Sequence, residues 1–267
     1  MKDIKWYRAW DIVYPVGIYY VLMNVATFVV CLIVPLTDES YGFIKVLTTL
    51  FVLPVVYVMY RNDQLRRGVQ KAKAKELLFD MRSEIVPLLG ILVMAACAAV
   101  VLNNLISWTP LMKVSATYQS VTRKFFGGAV IFEILGPCIF APILEEYVFR
   151  GLVYKRLREW LGMTWAVVIS AIIFGMMHMN IVQFVYAGFL GVFLALCVER
   201  TKHLYGAILA HMAANTISVI RTETNWLSWM DESLQAQALT TVGMGLVFIG
   251  LYLLVFWKGK GDGKKII

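Results

Sequence analysis

Three short patterns place titratable side chains inside apolar sequence. Glu145 and Glu146 are adjacent near the end of an apolar run that begins at Phe125, and Arg150 follows within the same run. His178 closes Phe174-Gly175-Met176-Met177-His178, and His211 opens His211-Met212-Ala213-Ala214-Asn215. Ionisable groups in hydrocarbon are costly and mark functional sites by default, interfacial anchoring being the bland alternative. A helix advances roughly 100° per residue, so Glu146 and Arg150 share a face while Glu145 turns to a neighbouring one. Glu146 is therefore expected to form a structural ion pair with Arg150, which leaves Glu145 free to face something else, such as a water. The same helical spacing stacks Phe174 before His178 and aligns His211 with Asn215.

The chemistry open to these groups is definite. A carboxylate in an apolar cavity takes a proton from water, and a nearby imidazole orients that water or protonates a leaving amine. A second imidazole and a carboxamide donate to the oxyanion of a tetrahedral intermediate, where one donor contributes about 2.7–4 kcal/mol in comparable sites. That set suffices for peptide-bond hydrolysis without a nucleophilic Ser or Cys. Zinc at Glu145, His178 and His211 is the minority reading, because no His-Glu-xx-His presents two ligands on one helix.

The elements that must position these residues are membrane helices. The chain has 267 residues, 60% hydrophobic and 16% charged, too apolar for a soluble domain. Apolar stretches at about 11–36, 42–60, 85–106, 125–149, 163–179, 181–199, 204–221 and 239–257 can each cross a layer about 30 Å thick. The expected fold is all-α, about eight transmembrane helices in one membrane domain over 1–267, with an intramembrane active-site cavity and a motif core at 125–220. With the N-terminus inside, 20 of the 25 Lys and Arg residues fall on the cytoplasmic side, as the positive-inside rule requires. Both termini are thus expected in the cytoplasm, and the first run is a retained span rather than a cleaved signal.

The net charge of +8 is accounted for by this asymmetry, and no nucleic-acid module accompanies it. The four cysteines lie in apolar runs without CxxC spacing and are expected to be small buried residues. Residues 61–84 suit an amphipathic helix or a solvated loop, and 151–162 a surface-lying continuation of the fourth helix. Helix rise sets His178 deeper from the cytoplasmic side than His211, which asks the fourth helix to extend beyond Arg150 and suggests a cavity open toward the cytoplasm. Glu133 is read as structural, and Ala187-xxx-Gly191 as a surface for close helix packing.

In their order on successive segments, Glu145-Glu146-xxx-Arg150, Phe174-xxx-His178 and His211-xxx-Asn215 resemble the three motifs of the CAAX-protease and bacteriocin-processing (Abi) family, which includes the type II CAAX prenyl endopeptidases. The resemblance covers about residues 125–220. It implies a metal-independent endopeptidase without cofactor, in which Glu145 activates water with His178, Arg150 holds Glu146, and His211 with Asn215 forms the oxyanion site. Phe174 is a packing residue of the pocket. The implied substrate is a small membrane-associated peptide or protein precursor at a bacterial plasma membrane, with pheromone or bacteriocin processing, or bacteriocin immunity, as the physiological setting. The rival from another class is a non-proteolytic scaffold or regulator of a sensor kinase or cell-wall enzyme; a proton-coupled transporter is a third, disfavoured by the lack of paired, broken repeats.

Overall fold

A computed structural model describes residues 6–66 and 70–257, without the side chains of 70–84. The described residues are helical and include no strand. Helix α1 (Trp6–Cys31) leads to α2 (Asp38–Arg66), whose start is fixed by a reciprocal cap. There the Ser40 N–H donates to Thr37 Oγ1 at 3.2 Å and the Thr37 N–H to Ser40 Oγ at 2.9 Å, satisfying two otherwise orphaned donors. Helix α3 (Gln70–Ser107) returns, and two short helices, α4 (Leu111–Val114) and α5 (Ala116–Phe125), lie beyond its end.

The next rod carries the paired glutamates. It begins as α6 (Val130–Ile134), loosens into a π-helical turn at Leu135–Phe140, continues as α7 (Ala141–Glu146), loosens again at Tyr147–Tyr154 and ends as α8 (Lys155–Leu161). Two prolines explain the first loosening. In the π register Ala141 N–H reaches back to the Gly136 carbonyl, so the Pro137 carbonyl next in line faces Pro142, which has no N–H to give. Gly162, at φ 82°, stops the rod, a backbone region that glycine enters without a Cβ clash.

Helix α9 (Met163–Met176) is short, and α10 (Ile181–Thr201) runs back along it. Helix α11 (Leu204–Glu223), a 3-10 turn at Asn225–Met230, α12 (Leu234–Tyr252) and a π-helical end at Leu253–Trp257 complete the chain. The core joins Leu144, Val148 and Phe149 of the rod to Leu190 and Leu194 of α10 and to Ala207, Ala210 and Ala214 of α11. The alanines let α11 approach closely, as small residues do in membrane bundles.

The protein is an all-α polytopic membrane protein, but the eight expected spans divide unevenly. Among the described residues five helices are long and apolar enough to cross: Trp6–Cys31, Asp38–Arg66, Ile85–Ser107, Ile181–Thr201 and Leu234–Trp257. The 130–161 rod is broken by π turns, α9 has only 14 residues, and α11 carries the polar site residues. The rod does extend past Arg150, as the depth of the histidines requires. It does not lie on a surface: Gly151, Leu152, Val153 and Tyr154 are buried, and Arg156 and Arg158 bind Asp63 and Glu199. Arg61–Arg66 is the end of α2 and residues 70–84 are continuous with α3; the amphipathic face expected there lies outside the described side chains. Cys97, Cys138 and Cys197 are buried thiols, while Cys31 is half-buried.

Candidate active site

The rod, α9, α10 and α11 bring every motif residue to one place. Glu146 and Arg150 are both fully buried and meet as Oε1 and Nη1 at 2.9 Å, the expected ion pair. Arg150 also donates from Nη2 to the Gly191 carbonyl at 3.1 Å, and its guanidinium carbon lies 4.3 Å from the Phe174 ring centroid. Gly191 makes this approach possible: a Cβ there would stand 3.0 Å from Arg150 Nη2 and 3.2 Å from Ala171 Cα. The Ala187-xxx-Gly191 surface therefore serves the arginine as well as helix packing.

His211 adds a contact that helical spacing alone does not reveal. Its Nδ1 lies 3.0 Å from the same Glu146 Oε1. A carboxylate paired with arginine accepts only, so Nδ1 carries the hydrogen and Nε2 is directed elsewhere. Nε2 faces Glu145 Oε2 at 3.9 Å, too long for a direct hydrogen bond and short enough for one water to bridge. The Glu145 side chain is 18% exposed while that of Glu146 is 0%, which makes Glu145 the carboxylate that solvent and substrate can reach.

His178 sits in the turn after α9. Its Nδ1 is 3.1 Å from the Phe174 carbonyl; a carbonyl can only accept, so here too Nδ1 donates and Nε2 presents a lone pair. The turn is held by Asn180, which caps α10 by accepting from Gln183 N–H at 2.9 Å and donates to the His178 carbonyl at 3.1 Å. Gly175 lets the turn close, since a Cβ at that position would meet the Phe184 carbonyl at 2.7 Å. Phe174 is buried between the imidazoles, its ring 5.1 Å from His178 and 5.6 Å from His211, edge to face with both.

Asn215 is engaged in the structure itself. Its Nδ2 donates to the Pro137 carbonyl at 2.8 Å, the oxygen left without an in-helix partner by Pro142. One amide hydrogen thus clamps α11 to the kinked rod, and the other is available.

A cavity of about 750 Å³ is lined by Glu145, Phe174, His178, His211 and Asn215. Apolar walls from Tyr19, Met23, Phe125 and Leu190 surround them. It continues past Asn103, Ser107, Met112 and Tyr118 to Arg221, Thr222 and Asp231. Its mouth therefore lies at the end holding α4, α5 and the 225–230 turn, opposite Arg66 and α8. Toward Arg66 and α8 the rod instead carries the buried Phe149, Arg150 and Leu152. Glu133 is buried and absent from the cavity wall.

Among the described residues no group of three His, Cys, Asp or Glu is placed to hold an ion.

Two positions carry more than sequence reasoning assigned them. Lys45 lies in the cavity wall, and its place inside an apolar run is itself a signal. Gly191 matters through the arginine it admits, which no local pattern shows.

The fold and site thus define a polytopic membrane protein with a buried, motif-built carboxylate and imidazole cluster. Residues 127–217 match the family model described as Type II CAAX prenyl endopeptidase Rce1-like, the family that the three motifs resemble. The chain is also similar to the protein named "Putative membrane peptidase YdiL" of Bacillus subtilis (strain 168), 35% identical over 92 residues. That alignment covers 34% of this chain and 38% of the relative. No solved structure gives a significant match.

Proposed function

We propose that this chain is an intramembrane endopeptidase in which Glu145 activates water for attack on a peptide bond. The observation that carries the reading is that Glu145, alone of the two adjacent acids, opens on the cavity while lying 3.9 Å from an imidazole nitrogen. Glu145 takes a proton from a water that also donates to the free Nε2 of His178, and the hydroxide adds to the carbonyl carbon. The oxyanion that forms is met by the remaining amide hydrogen of Asn215 and by His211 when Nε2 is protonated, with Glu146 and Arg150 fixing that ring. The proton held by Glu145 passes to the leaving nitrogen as the C–N bond breaks, giving one new carboxylate and one amine. No metal or cofactor enters this sequence. The family match at 127–217 and the similarity to YdiL support the peptidase class.

The substrate fitting an apolar cavity of this size is a membrane-associated peptide or a small protein precursor, of the kind processed in pheromone or bacteriocin maturation or immunity. A bacterial plasma membrane with both termini cytoplasmic is the setting we assign from the charge asymmetry. The test compares wild type with Glu145→Ala and His211→Ala at matched membrane levels, following the deletion phenotype and the membrane and secreted peptides. Loss of the phenotype together with the same peptide products is expected. Retention of both by both variants sinks the proposal and favours a scaffold.

A further inference from the structure

The cavity holds a charged side chain that the mechanism above does not use. Lys45 of α2 lies in its wall, its ammonium 5.4 Å from the centroid of the Tyr41 ring. Among the described residues no carboxylate lies within ion-pair distance of it. Arg221, the other cation in the wall, is already held by Asp231 and by Asn104 Oδ1. An ammonium facing an apolar, partly desolvated space needs a counter-charge. Glu145 acts on Lys45 electrostatically, but from a distance that the helix register fixes.

That register is parallel and constant. Gly42 of α2 abuts Phe132 of the rod, Val46 abuts Gly136, and Tyr60 abuts Gly151. Lys45 is therefore level with the first π turn, its backbone about ten positions nearer the mouth than that of Glu145, at most about 15 Å at a helical rise of 1.5 Å. An extended peptide covers that length in about four residues at 3.3–3.6 Å each. Lysine is a compact point charge with rotatable donors, and what a peptide entering from the mouth can offer it is a carboxylate.

We propose that Lys45 binds a carboxylate of the substrate and so fixes which peptide bond lies over Glu145, about four residues away. The proposal rests on the peptidase reading. The carboxylate belongs either to the substrate's C-terminus or to an Asp or Glu side chain at that spacing, and the experiment separates the two.

Wild type, Lys45→Gln, Lys45→Arg and Glu145→Gln are compared in lipid nanodiscs. The probes are quenched-fluorescent apolar decapeptides in three matched sets: free C-terminal acids, C-terminal amides, and amides bearing an internal Glu at varied positions. Wild type is expected to favour a carboxylate-bearing set over the plain amides by about tenfold or more, the size of one charge-assisted hydrogen bond. Preference for the acids names the C-terminus, and preference for the Glu-bearing amides names the side chain. Lys45→Gln should reduce the preference to within about twofold, and Lys45→Arg should restore part of it, since guanidinium also pairs with carboxylate. In parallel, the affinity of Ac-Leu-Phe-Val-Leu as acid, amide, or amide with a Glu in place of its last Leu is measured on Glu145→Gln and on its double variant with Lys45→Gln.

Equal handling of all three sets by wild type overturns the proposal, as does Lys45→Gln slowing every set alike with its ratios intact, which would make Lys45 a counter-charge to Glu145 only. Equal or undetectable binding of the three tetrapeptides overturns it as well. Failure of the peptidase reading shows separately, as cleavage by Glu145→Gln at the wild-type rate or no cleavage by wild type, and the affinity ratios then still decide the role of Lys45.

Discussion

His211 and Arg150 share one oxygen: Glu146 Oε1 accepts from His211 Nδ1 at 3.0 Å and from Arg150 Nη1 at 2.9 Å. The second glutamate is thus the joint between the rod and α11, and the orientation of the imidazole that faces Glu145 is set through it. Adjacent acids with the same chemistry take different work because one is enclosed and the other is not.

The two glutamates should separate in experiment. Glu145→Gln is expected to retain wild-type thermal stability in detergent and to lose at least about 100-fold in peptide cleavage, the lower range for a general base. Glu146→Gln leaves Arg150 buried beside a neutral amide and is expected to destabilise the fold by about 3–5 kcal/mol. Equal melting temperatures for the two variants would contradict this division.

Gly191 is predicted to be intolerant of even one carbon. Gly191→Ala presses a methyl against Arg150 Nη2 and the Ala171 backbone, with a cost of about 1–3 kcal/mol for overpacking. Because Arg150 must shift, cleavage should fall along with the melting temperature. An alanine variant with unchanged stability and activity would show that the guanidinium has room to move.

Asn215 has a structural duty beside its proposed catalytic one. Asn215→Ala strips the half-buried Pro137 carbonyl of its donor, and the lost hydrogen bond costs about 0.5–1.5 kcal/mol. Stability and kcat should therefore both fall. A variant that loses kcat with an unchanged melting curve would make Asn215 an oxyanion donor alone and the clamp to Pro137 unimportant.

The mouth of the cavity should resist mild acid. Asp231 is held below the usual carboxylate range, first by its hydrogen bonds with Arg221. A depressed pKa means that this contribution is complete above the unfolded value, about 3.9, and fades only as pH falls through the lower folded value. Hydrogen exchange of residues 222–233 should accordingly be unchanged by pH-linked opening from pH 7 to 5, once corrected for intrinsic rates, and rise only below about pH 4. The Asp231 side chain is 44% exposed, so the effect stays local. Opening near pH 6 would point to a different latch.

The site was more legible in the sequence than the helices that carry it. Glu146 and Arg150 paired as an i, i+4 spacing on a helix demands, and Phe174 packs beneath His178 for the same reason. Charge and hydropathy also defined the polytopic helical class. The His211 bond to Glu146 depends on how α11 crosses the rod, and that crossing rests on the alanine stripe and on Asn215 reaching Pro137. Local periodicity does not contain such information. The burial of 151–154 was missed because alternating charged and apolar residues resemble an interfacial helix when their partners, Asp63 and Glu199, lie on distant segments.

The shortness of α9 reaches beyond the protein. Its 14 residues rise about 21 Å, well under a hydrocarbon thickness of about 30 Å. Trp165, Val168, Ile172 and Met176 form an exposed stripe along it that no other part of the described protein covers. A bilayer there must thin, or α9 must shift, to match that length, and α9 leads directly into the turn that carries His178. Acyl-chain length is thus expected to act on the proposed active site through that turn, so cleavage should be faster in thin bilayers than in thick ones.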